Sequence, residues 1–217
     1  MKGLLKNNFY ATLSNVKVFS IIMFLFFVFV IIIDNRIPLL IISYMLLGMV
    51  GFSFNFIASL RKESVTKWSK YKLTVPVKRS EIVQSYFLSL FLWLVVGMIF
   101  AGIGVAFSVI LHGFPFDRNT DIFMMFVVGV GISLFMGTIF FPLFYLGGEE
   151  RSELFLVISL LSGVGFIMAS STCMNILFPE MNNIQIILCG VVILMTAFLM
   201  FVFSYLLTVY IYQKKEY

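Results

Sequence analysis

Six long apolar runs alternate along the chain with short polar breaks, and one of the breaks is unlike the others. The runs cover about residues 18–33, 37–60, 82–111, 122–146, 154–177 and 184–212. A helix rising roughly 1.5 Å per residue needs about twenty mostly apolar residues to cross a hydrocarbon layer of roughly 30 Å, so each run predicts a membrane-spanning helix. Ahead of the first run, residues 1–17 place Leu4, Leu5, Phe9, Leu13 and Val16 on one helical face, with Lys2, Lys6, Asn7 and Asn15 elsewhere. That pattern predicts an amphipathic helix lying in the membrane interface.

The distinctive break spans residues 61–81. Arg61, Lys62, Lys67, Lys70, Lys72, Lys78 and Arg79 stand there against only Glu63 and Glu81, and that much charge cannot cross a bilayer because of its desolvation cost. Glu63 and Lys67 are four apart in the favourable order, and Val65, Trp68, Tyr71 and Val75 recur near helical spacing. A short amphipathic surface helix is expected, ending near Leu73 because Pro76 removes a backbone donor and disfavours helix at Val75. Ser80 is expected to cap the next helix, with Glu81 in its first turn.

Composition agrees. With 61% hydrophobic and 12% charged residues among 217, and a mean hydropathy of +1.08, the chain lacks the polar surface of a soluble domain. The expected fold is all-α: a polytopic membrane protein of six transmembrane helices forming one domain, residues 1–217, with loops too short to hold a soluble catalytic module. The first run lacks a small-residue cleavage site and is expected to remain in place. Cys173 and Cys189 fall within spans and are expected as packed free thiols, although their depths would allow a disulfide.

Charge orients the spans, because Lys and Arg of short loops stay on the cytoplasmic side. With both termini inside, thirteen of the fifteen basic residues are cytoplasmic, and only Arg36 and Arg118 lie outside, accompanied by Asp34, Asp117, Asp121 and Glu180. Multi-pass insertion with cytoplasmic termini is therefore expected.

Candidate chemistry is sparse. No span carries Asp, Glu, Lys, Arg or His at its middle, which gives ion-coupled transport little support. Asn55, Gln84 and Asn175 near span ends read as interhelical or interfacial hydrogen-bonding groups before they read as substrate ligands. His112 is alone, with no metal-ligand spacing around it, and no Ser or Cys has a plausible base in its layer. Neither a catalytic site nor a metal site is expected. The glycine-rich pieces GMVG, GIG and GVGIS are not followed by Lys, so no GxxxxGK phosphate loop exists and the chain is not expected to hydrolyse ATP alone. Small residues recur at Gly129, Ser133 and Gly137 in the fourth span and at Gly163, Gly165 and Ala169 in the fifth. Such faces let helices approach closely, within one subunit or between two.

The series Trp68, Tyr71, Pro76-Val77, Arg79 and Glu81-Ile82-Val83, written WxxYxxxxPVxRxEIV, resembles the cytoplasmic signature of small ABC type-two export permeases. Pro142-Leu-Phe-Tyr-Leu-Gly-Gly-Glu-Glu-Arg151 resembles that family's ending of the fourth span, and the six-span layout extends the likeness over the chain. Tyr86 and Glu150 depart from the usual pattern. The resemblance implies a permease that pairs with a second permease copy or paralogue and with two copies of a separate ATP-binding subunit, which would hold the ATP and magnesium. It implies that residues 61–81 contain the coupling helix. Trp68 and Tyr71 would dock in the ATPase, and Glu63, Lys67, Lys70 and Arg79 would set charge complementarity, with Pro76 shaping the loop. Gly147, Glu149 and Arg151 would contribute from the next cytoplasmic turn. The sequence most resembles the subgroup exporting phenol-soluble modulins and antimicrobial peptides, which implies an amphipathic peptide cargo and no nucleic-acid partner. A lantibiotic or drug exporter conferring self-immunity, and a scaffold subunit of an uptake system, remain open alternatives.

Overall fold

The computed structural model describes residues 2–32, 38–65, 78–113, 116, 118, 120–148, 151–178 and 182–214. They form six α-helices in chain order: α1 Lys2–Ile32, α2 Pro38–Val65, α3 Arg79–His112, α4 Thr120–Gly147, α5 Ser152–Leu177 and α6 Asn183–Lys214. All six are long and apolar enough to cross a membrane, and no strand occurs among the described residues.

The helix ends follow from local chemistry. α2 begins on Pro38, whose missing N–H is harmless at a first helical position. α3 ends where Gly113, at φ +83, donates its N–H to the Val109 carbonyl, and α4 ends before Gly148 at φ +84. Both are left-handed positions that glycine adopts without steric cost. The start of α3 corrects an expectation. Lys78, not Ser80, is the N-cap, and its extended backbone lets its carbonyl accept from the Glu81 and Ile82 amides at 2.9 and 3.4 Å. Ser80 already lies inside the helix, while Glu81 occupies the first turn as expected.

The first helix runs without a break from Lys2 to Ile32, so the amphipathic segment and the first span form one rod. Its buried positions, Asn8, Thr12, Val16, Met23 and Val30, form a single stripe at spacings of four and seven. Leu4, Leu5 and Leu13 are half-buried and Phe9 is exposed. The stripe that faces the bundle therefore begins on two polar residues rather than on the apolar face read from the sequence.

α2 is the most enclosed helix and α1 the least. α2 packs on α3, α1 and α4, while α4 in turn carries α5 and α6, which hardly touch one another. Phe52, Phe56, Met45 and Met49 of α2, Leu90 and Leu94 of α3, and Phe140 and Phe141 of α4 are almost wholly buried where these helices meet. The outer faces of α1, α5 and α6 expose rows of large apolar side chains, the surface that lipid covers.

Pro142 sits inside α4. It lacks the N–H that would bond the Thr138 carbonyl four residues back. That carbonyl instead accepts the Ser204 hydroxyl of α6 at 2.7 Å. The helix thus continues past its proline with the freed backbone group satisfied, as a low-dielectric surround requires.

Candidate functional site

One end of the bundle gathers the start of α1, the end of α6 and the described limbs of the basic break. Lys67, Trp68, Lys70, Tyr71, Pro76 and Glu149 lie outside the described residues. α2 continues to Val65, so the backbone of Glu63 belongs to its final turn.

Arg79, the first residue of α3, reaches α6. Its Nη1 donates to the carbonyls of Tyr212 and Gln213 at 3.1 and 3.2 Å, and its guanidinium lies 5.7 Å from the Tyr212 ring centre. The Tyr145 ring of α4 packs on Tyr212 with centroids 4.6 Å apart. A cation placed against the last carbonyls of a helix stabilises it, because those groups carry the negative end of the dipole and lack intrahelical donors. Arg79 therefore ties the start of α3 to the end of α6, a role that spacing along the chain does not reveal.

Other ties close the same end. Arg61 near the end of α2 pairs with Glu153 in the first turn of α5. Both side chains are exposed, so the pair orients more than it stabilises. Gly148, at φ +84, turns the chain out of α4, and a Cβ at Gly147 would collide with the Phe155 ring. Arg151 is exposed at the N-cap of α5 without a side-chain cap bond.

A buried polar knot lies just inside this end. Asn8 of α1 donates from its single amide nitrogen to Ser85 Oγ at 3.2 Å and to Ser89 Oγ at 3.3 Å, both on α3. The two serines donate in turn to the Ile82 and Ser85 carbonyls of their own helix. Thr12 and Ser59 of α2 share a hydrogen bond at 2.9 Å. α1 is thereby bonded to both helices that flank the basic break. Asn8 is 1% exposed, so its amide bonds lie away from competing water.

The small residues divide. A Cβ at Gly129 would drive into Met49, one at Gly137 would sit 3.1 Å from Leu90 and Phe201, and one at Gly163 would sit 2.9 Å from the Ile132 carbonyl. Ser133 donates to Met49 O of α2 at 3.3 Å and to Gly129 O at 2.9 Å. These four pack within the chain. Gly165 and Ala169 are exposed on α5, and a Cβ at Gly165 would meet nothing within 4 Å. The tightest backbone crossing joins α2 and α3, where a Cβ at Gly97 would lie 2.7 Å from the Gly48 carbonyl and 3.0 Å from Met49 Cα. Gly48 opens the GMVG piece, whose meaning is close packing.

Asn55 bonds the Gly51 carbonyl of its own helix, and Gln84 is exposed. Asn175 lines a cavity of about 710 Å³ at the opposite end of the bundle, between α4, α5 and α6. Cys189 also lines it and Cys173 does not; both thiols are free. Among the described residues no group of three or more His, Cys, Asp or Glu could hold a metal ion.

A family model described as "ABC-2 family transporter protein" matches residues 3–213, nearly the whole chain. No curated protein and no solved structure matches it.

Proposed function

The chain belongs to the ABC-2 transporter family as a permease subunit of an ABC transporter, and from that premise we propose that it exports amphipathic or hydrophobic peptides, driven by ATP hydrolysis in two copies of a separate ATP-binding subunit. Permeases of this family work in the bilayer beside such a subunit, which supplies the ATPase site. ATP and magnesium belong to that partner. This chain lies in the cell membrane with its termini in the cytoplasm, thirteen of its fifteen basic residues on that side.

The observation that carries the reading is the convergence of the ends of α2 and α5 through Arg61–Glu153, of α3 and α6 through Arg79–Tyr212, and of α4 with α6 through Tyr145–Tyr212, around the limbs of the basic break. A push received by residues 61–81 would reach several spans at once, because their ends are bonded together. Trp68 and Tyr71 anchor the ATPase, and Glu63, Lys67, Lys70, Pro76, Glu149 and Arg151 complete the contact. Spans without ionisable residues at their middle suit an apolar cargo. A second permease packs on the exposed face of α5 at Gly165 and Ala169, where small side chains permit close approach.

Reconstitution of the chain with its ATPase in proteoliposomes tests the reading. ATP hydrolysis stimulated by an amphipathic helical peptide, together with ATP-dependent movement of that peptide, is the expected result. Transport of the peptide without ATP, or hydrolysis indifferent to it, contradicts the reading.

A further inference from the structure

The far-end cavity plays no part in the cytoplasmic contacts above. Its inner wall is apolar, built on Val127 of α4, Ile167 of α5 and Ile193 of α6, which belong to one buried cluster. Its rim is polar. Arg118, which precedes α4, lines it together with Ser171 and Asn175 of α5. Arg118 is exposed and its side chain makes no ion pair among the described residues, while its backbone is held by Asp121: its N–H donates to the Asp121 carboxylate at 3.3 Å and its carbonyl accepts the Asp121 N–H at 3.1 Å.

Two further features bear on the occupant. From Ile167 to Asn175 the wall runs eight residues along α5, about 12 Å of helix from floor to rim. α5 and α6 both rest on α4 and hardly on each other, so the seam between them faces the hydrocarbon layer. Water is a poor occupant for an apolar floor, since it needs polar partners there. A volume of about 710 Å³ is in the range of ligand pockets, roughly 300–1,000 Å³.

We propose that this cleft binds an anionic phospholipid, its acyl chain against Val127, Ile167 and Ile193 and its phosphate at Arg118 and the Asn175 amide. The seam admits a lipid from the side without opening the bundle. A guanidinium at the rim meets phosphate with paired donors, a geometry that favours an anionic headgroup over a zwitterionic one whose ammonium would face the same cation. This assignment is independent of the peptide-export reading and survives its failure.

The two cysteines provide the test. In a Cys173→Ser variant, Cys189 on the cavity wall is the sole thiol, and its alkylation by a small apolar maleimide is timed in neutral detergent with added short-chain phosphatidylglycerol or phosphatidylcholine. The expected result is at least fivefold slowing by phosphatidylglycerol, little by phosphatidylcholine, and loss of the difference on Arg118→Gln. Native mass spectrometry of the unmodified chain should show retained phosphatidylglycerol that Arg118→Gln sheds. Equal protection by both lipids, no protection by either, or a Cys189 that never reacts together with no retained lipid overturns the proposal. Protection by an amphipathic peptide and not by lipid reassigns the cleft to cargo and equally overturns it.

Discussion

Ser204 of α6 donates its hydroxyl to the Thr138 carbonyl of α4, the one carbonyl that Pro142 leaves without its helical donor. The bond joins two helices at a point where the backbone of one would otherwise be unsatisfied. Ser204→Ala should therefore cost more than loss of an ordinary serine on a helix. Interhelical hydrogen bonds in membranes average about 0.6 kcal/mol with a ceiling of about 1.7, and Ser204→Ala is expected toward the upper end. Restoring the donor by Pro142→Ala in the same chain should recover most of the loss. Thermal unfolding in detergent measures both, and a double mutant no more stable than Ser204→Ala would count against the pairing.

Gly97 and Gly165 give opposite expectations. Valine at position 97 would press into the Gly48 carbonyl and the Met49 backbone, which cannot swing away as a side chain could. Overpacking of this kind costs typically about 1–3 kcal/mol. Gly165→Ala enters open space and should change stability of the single chain by less than about 0.5 kcal/mol. Unfolding curves that do not separate the two variants would refute the crossing at Gly48.

Arg79→Gln should loosen the last turn of α6 while leaving its middle intact. A cation at a helix C-terminus is worth about 0.3–1 kcal/mol, rising to about 2 in partly buried geometry. Hydrogen exchange over Tyr210–Lys214 reads the effect directly, and protection unchanged there would show that Arg79 does not hold that end.

Much of this architecture was legible in the sequence because desolvation dominates. Six runs without central charge had to become spans, and each has its own helix; the last four lie wholly within theirs, and the first two do so up to Ile33 and Ile37, which lie outside the described residues. The partners of buried polar groups were not legible. Asn8 and Thr12 look like the wet side of an interfacial helix, since nothing along the chain announces Ser85, Ser89 and Ser59 as hydrogen-bond partners far away. Pro142 signals an orphaned carbonyl but not which helix supplies its donor. Gly129, Ser133, Gly137 and Gly163 were recognisable as packing residues, whereas period alone could not separate them from the exposed Gly165 and Ala169. Arg79 reads along the chain as a charge for a partner, and nothing there announces its bonds to the Tyr212 and Gln213 carbonyls of α6. Trp68, Tyr71 and the rest of residues 66–77 lie outside the described residues.

Orientation has its own test. In a chain with Cys173→Ser and Cys189→Ser, single cysteines at Arg118→Cys and Lys214→Cys are challenged in intact cells with an impermeant maleimide. Modification at 118 and not at 214 is expected. The reverse pattern places the termini outside and removes the basic break from the ATPase side.

The central claim is that the basic break receives the ATPase, and the aromatic pair within it decides the matter. Interface anchors lose about 2 kcal/mol or more each on truncation, so Trp68→Ala with Tyr71→Ala should weaken ATPase binding on the order of a thousandfold if the losses add. Six spans hold the protein in the bilayer regardless, and insertion should be normal. The direct measurement is co-purification of the ATPase with the double mutant from membranes that contain it at wild-type level. Loss of the ATPase and arrest of peptide export is the predicted result; undiminished co-purification with normal export would contradict the coupling role of this loop.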